Sequence, residues 1–212
     1  MSLNKIISVS QEISIWLHQH TNETVLNNMA FREKYAICLF QQALDIEDGI
    51  KILLENNLPG AALALARPLF ECYVRGVWLL TVATNEEVDK FESGKYYREF
   101  DISHLVKAIE DNPETDGAWI KATKDAHLTV LHDLTHGGTS HIVARCSSNT
   151  IEPLYSENHL ISLAILGIEV KIRIGQKLLA RIKNEEALLL LNEKAEEIRD
   201  YLFQFICPGV SK

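Results

Sequence analysis

Arg67, Glu71 and Arg75 follow one another in steps of four within ARPLFECYVRGVW. On a helix that spacing lines three side chains along one stripe. Every other residue from Ala61 to Ala83 is apolar or small, apart from Thr81. Charges set in such a segment must be paired, because an unpaired buried charge is strongly destabilising. Two readings follow. The three residues form an internal ion triad that fixes helix packing, or two cations facing one carboxylate leave a guanidinium to hold an anion.

The second constellation is histidine-rich: DAHLTVLHDLTHGGTSHIVAR. His132 and His136 stand at i and i+4, a spacing that suits two imidazoles on one metal if a carboxylate completes the set. Glu71 or Asp133 could serve as the third ligand, although Asp133 points about 100° away from His132 on a helix. The glutamate of an HExxH site is missing beside His132, so we expect no stoichiometric metal and no cofactor. The other readings are histidines bonded at a helix end, where positive charge is favoured, or acid–base and phosphate contacts. His141 and Arg145 follow in the same segment. The candidate polar pocket is therefore Arg67, Glu71, Arg75, His132, His136, His141 and Arg145, set between the 61–84 and 116–136 helices.

These residues need a scaffold, and its signals are helical throughout. Residues 3–20 read as a short amphipathic helix, peripheral to the rest, with Ile6, Val9, Ile13, Trp16 and Leu17 on one face. A helix is expected from about Glu23 to Asn56, then a turn at Leu58-Pro59-Gly60. The 61–84 helix should be central and kinked by Pro68. Shorter helices are expected over 85–98 and from Asp101 to about Asn112, then one over 116–136 ended by Gly137-Gly138. Residues 139–155 read as irregular. A long apolar helix from Ser156 or Asn158 to about Ile182 precedes a last helix over 185–206. That helix carries Leu188, Leu191, Ala195, Ile198, Leu202 and Phe205 as a seam for a neighbouring helix or a second copy of the chain, which predicts a homodimer. No alternating run of β-branched residues is bounded by turns. The fold class is all-α: one helical-bundle domain of about six to eight helices.

Two segments together, PGAALALARPLFECYVRGVW and LHDLTHGG…HIVAR, resemble a group of bacterial helical proteins of unknown function. Some helical families of that kind lie near phage-defence and toxin–antitoxin genes and are compared with HEPN domains. The resemblance covers roughly residues 50–180. It implies an all-α fold and directs attention to Arg67, Glu71, His132 and His136, but it implies no particular reaction. HEPN ribonucleases carry an arginine followed by a histidine after four to six residues. The match here, Arg98 to His104, lies outside both shared segments. Asp101 and Ser103 between them look like helix-start residues, so the pair is not expected to be catalytic.

Composition narrows the classes. The formal net charge of −8 argues against bulk DNA or RNA binding through released counterions. The acids are concentrated in residues 85–116, whereas residues 117–150 hold four of the eight histidines with Lys121, Lys124 and Arg145, which leaves room for a small anion, nucleotide or RNA there. Arg67, Glu71 and Arg75 interrupt the longest apolar stretch, and Leu160–Ile168 is too short to cross a bilayer, so no membrane span is expected. The N-terminus lacks the pattern of a signal peptide. Cys38, Cys72, Cys146 and Cys207 show no CxxC spacing and read as reduced thiols of a cytoplasmic protein. Three functions remain: a HEPN-like nucleotide- or RNA-binding protein, a metal-dependent hydrolase using His132 and His136, or a non-catalytic interaction protein.

Overall fold

A computed structural model describes residues 2–21, 29–94, 101–110, 112, 115–146 and 149–206. Among these the structure is helical, with one isolated antiparallel bridge between Cys146 and Ile151. The helices are α1 (Leu3–Thr21), α2 (Phe31–Glu55), α3 (Pro59–Ala64), α4 (Ala66–Thr81), α5 (Asn85–Glu92), α6 (Ile102–Glu110), α7 (Gly117–Thr135), α8 (Thr139–Val143), α9 (Glu157–Arg181) and α10 (Glu185–Ile206).

The count exceeds the expected six to eight for two local reasons. The 61–84 segment is two helices, because Pro68 has no N–H for the carbonyl of Ala64 and its ring crowds that turn. The break falls at Leu65 (φ −83°, ψ −12°), which remains in the right-handed region. The stretch expected to be irregular, 139–155, begins with the single-turn α8. The Asp133 carboxylate holds that turn by accepting from the backbone N–H of Ser140 at 2.6 Å. The second helix also starts later than expected. Ala30 is extended (φ −61°, ψ 153°), and Glu33 reaches back to its N–H at 3.0 Å, so α2 begins at Phe31. The expected start at Glu23 lies outside the described residues.

By their contacts the residues fall into two compact units, Met1–Val25 with Ala164–Lys212, and Leu26–Leu163. In the second unit α4 is central, against α2, α6 and α7. Leu69, Phe70, Tyr73, Val74, Val77 and Trp78 repeat in pairs four residues apart and are buried. Each such large side chain contributes about 1.5–3 kcal/mol on burial. Arg67, Glu71 and Arg75 occupy a different stripe of the same helix, with side chains about one-fifth exposed (22%, 19% and 21%). The helix is thus central but not enclosed all round.

In the first unit, α1 buries Ile6, Ile7, Ser10, Ile13 and Leu17. Of the expected α10 seam, Leu191, Ala195, Ile198 and Leu202 are buried, with Ala187 beside them, and Leu188 is half-buried. A Cβ at Gly175 of α9 would collide with Leu17 and lie 2.9 Å from Leu191, so the three helices meet at a glycine. Lys171 is buried and its ammonium donates to the Ser10 carbonyl (3.1 Å), the Ser10 hydroxyl (2.9 Å) and the Ser14 hydroxyl (2.5 Å). Three donors meeting three acceptors satisfy the group. No described helix is long and apolar enough to cross a membrane.

The α2–α4 approach depends on Gly76, where a Cβ would strike the Phe40 ring, with Cδ1 2.7 Å away. Gly76→Ala is expected to lower stability by about 1–3 kcal/mol through overpacking, despite alanine's better helix propensity. Urea unfolding followed by circular dichroism measures it.

Candidate functional site

α7 runs antiparallel to the α3–α4 rod and is tied to it at both ends. At its start, the buried Tyr73 donates its hydroxyl hydrogen to Asp116 and meets Trp119 edge-on, with ring centroids 5.8 Å apart. At its end, the Thr135 hydroxyl lies 3.2 Å from the Ala64 carbonyl and 2.8 Å from that of Leu131. Ala64 is the residue whose carbonyl Pro68 cannot serve. Thr135 therefore docks α7 at the break, and one turn away His132 meets Arg67.

Glu71 is the hub of the charged stripe. Its Oε1 accepts from Arg67 Nε and its Oε2 from Arg75 Nη1, each at 2.7 Å. Burial raises its pKa, but the hydrogen bonds and charges of Arg67 and Arg75 outweigh this and hold the carboxyl below its usual range. Arg75 Nε is buried with no hydrogen-bond partner among the described residues.

Arg67 Nη1 reaches His132 Nδ1. Arginine has only donors, so Nδ1 must accept, and a neutral ring then carries its proton on Nε2. A metal bound at Nε2 would need that lone pair and would move the proton to Nδ1, against Arg67. Arginine and metal thus compete for the same imidazole. Among the described residues no three His, Cys, Asp or Glu side chains are grouped to hold a metal ion. Of the three ligands that a metal would use, His132 and His136 lie together, with ring centroids 4.5 Å apart, while Glu71 is committed to the two guanidinium groups. Both histidines are exposed.

The HisGlyGly segment is a helix end. His136 is the last half-helical residue, Gly137 takes φ +69°, and the Gly138 N–H bonds to the Asp133 carbonyl at 2.7 Å. That is the six-to-one bond of a glycine-terminated helix. A Cβ at Gly138 would overlap the Asp133 carboxylate. Hydrogen bonds from the Ser140 side chain and backbone are the main cause of an Asp133 pKa below the usual carboxylate range. Asp133 therefore serves the corner and is not turned toward a metal.

His141 and Arg145 form a separate cluster with Tyr155, which sequence reasoning missed. Arg145 Nε donates to the Tyr155 hydroxyl at 3.2 Å, and His141 Nε2 lies 3.5 Å from the same oxygen. Tyr155 and Arg145 close on Gly60, where a Cβ would lie 2.6 Å from the Tyr155 oxygen and 2.7 Å from Arg145 Nη2. No local pattern marks a tyrosine in ordinary surroundings at the end of a loop as the partner of a residue far back in the chain. Of the Arg98–His104 pair, Arg98 lies outside the described residues. His104 is exposed on the first turn of α6, its N–H bonded to Asp101 at 2.9 Å. Cys38 and Cys72 are free thiols.

The hub makes a stability prediction. Glu71→Ala leaves two guanidinium groups facing each other in a half-buried place and is expected to cost about 2–3 kcal/mol. Arg75→Ala should cost less, since Arg67 keeps its partner. Because the folded pKa of Glu71 is depressed, its contribution is present above the unfolded carboxylate range and disappears as pH falls through the folded value. Urea midpoints of the two variants and wild type from pH 7 to pH 3 should converge at the acid end.

A family model described as a family of unknown function (DUF6988) matches residues 40–186. Comparison with curated proteins and with solved structures returns no match.

Proposed function

The chain belongs to this family of unknown function, and from its own geometry we propose that it binds a phosphate-bearing ligand, a nucleotide or RNA, on the Arg67–Glu71–Arg75 face beside His132 and His136. The observation that carries this reading is the charge balance of a half-open stripe. Two guanidinium groups share one carboxylate, a net of +1, on a stripe whose side chains are about one-fifth exposed. Guanidinium forks suit phosphate oxygens in geometry as well as charge. His132, polarised by Arg67 toward an Nε2 proton, adds a neutral donor on the same side. The reading includes no cleavage step, because among the described residues no carboxylate is bonded to His132 or His136 to orient it as a base.

A second reading, a non-catalytic packing triad, is favoured by the saturation of both Glu71 oxygens. Calorimetric titration with 5′-AMP and with inorganic phosphate separates the two. We expect binding that Arg75→Ala weakens about tenfold or more, the worth of one charge-assisted hydrogen bond. No heat from either probe at millimolar concentration, or an Arg75→Ala protein that binds like wild type, would establish the packing role instead.

A further inference from the structure

We propose that Arg145, Tyr155 and His141 form a second anion subsite on the same edge, so that the ligand is a strand of successive phosphates and not a single nucleotide. This rests on the phosphate-binding reading above and extends it.

The helical phase places the subsite. Gly60, Ala64, Arg67, Glu71 and Arg75 follow in steps of four, three, four and four. Leu65 stays right-handed, so the phase carries through the break and these positions share one stripe. Arg145 and Tyr155 close on Gly60 at one end, Thr135 on Ala64, and His132 on Arg67. At 1.5 Å per residue, Gly60 and Arg67 are about 10 Å apart along the helical stripe. The Arg67 and Arg75 guanidinium groups converge on the Glu71 carboxylate, so the cations form two stations, Arg145 and the Arg67–Arg75 pair, about 10 Å apart. The phosphate group of a mononucleotide meets only one of these stations.

The second cluster is short of acceptors. Arg145 is exposed and has no carboxylate partner among the described residues. The Tyr155 oxygen is flanked by Arg145 and His141. If both nitrogens donate to it, the tyrosine's own hydrogen needs an acceptor that no described side chain supplies. If His141 Nε2 accepts instead, the unfilled donor is His141 Nδ1, which is buried without a partner. In either arrangement one hydrogen of the chain is unclaimed while the Arg145 charge is unneutralised. An anion at the open side of Arg145 and Tyr155 neutralises that charge and, in the first arrangement, also takes the tyrosine hydrogen. The rings of Tyr155, His132 and His136 beside these cations offer the stacking faces that single strands use, which favours a nucleic acid over an acidic peptide.

The test uses a 5′-fluorescein-labelled single-stranded octaribonucleotide in fluorescence anisotropy, alongside 5′-AMP in calorimetry, on the full chain. The octamer should bind at least tenfold tighter than AMP. Arg145→Ala should weaken the octamer about tenfold and flatten the slope of log K against log salt by about 0.7, the value for one phosphate contact on a single strand. The same variant should leave AMP binding unchanged. AMP binding as tight as the octamer's, or an Arg145→Ala protein with wild-type octamer affinity and slope, overturns the second subsite while leaving the first site standing. Competition by a glutamate octapeptide as strong as that of unlabelled octamer overturns the nucleic-acid assignment. Failure of both AMP and octamer to bind removes the first site, and this one with it.

Discussion

One missing N–H organises the candidate site. Pro68 cannot serve the carbonyl of Ala64, a half-buried residue, and a carbonyl shielded from water without a partner is costly. The hydroxyl of Thr135, on another helix, lies 3.2 Å from that oxygen and shares its one hydrogen between it and the Leu131 carbonyl at 2.8 Å. A threonine at the end of α7 is thereby fixed to a break in the central rod, and everything one turn around it is fixed as well. His132 comes to Arg67, and the glycine corner that follows sends α8 away under the control of Asp133.

The stripe itself is a compromise between packing and charge. α4 buries two rows of large side chains against α2, α6 and α7, and only the third face is left for Arg67, Glu71 and Arg75. Glu71 is ionised because two arginines flank it, and the arginines are tolerated because Glu71 lies between them. One carboxylate cannot neutralise two guanidinium groups, so the arrangement keeps a surplus positive charge in a partly desolvated place. Such a surplus is what an anion site requires, and it is why the face is read as a binding surface and not only as a strut.

Much of this was legible in the residues. The four-residue steps of Arg67, Glu71 and Arg75 gave the triad, because helical periodicity leaves no other geometry. Gly137-Gly138 marked the end of α7, and the apolar seam of α10 marked its buried face. The kink at Pro68 was also legible, though not that it would divide the helix in two, nor that Thr135 would answer it. The single turn of α8 was hidden because its cap, Asp133, lies in the preceding helix and not just before it. His141 and Arg145 were read as members of one pocket with His132 and His136. The structure builds them around Tyr155 and Gly60, a pairing set by tertiary contact between distant segments.

The most direct test of this account is the tautomer of His132, read from long-range proton–nitrogen NMR correlations of the histidine rings at neutral pH. If Thr135 docks α7 at the Pro68 break and brings His132 onto Arg67, His132 carries its proton on Nε2 with Nδ1 as acceptor, and Thr135→Val erases that preference. A His132 protonated at Nδ1, or one whose tautomer is unchanged in Thr135→Val, would contradict it.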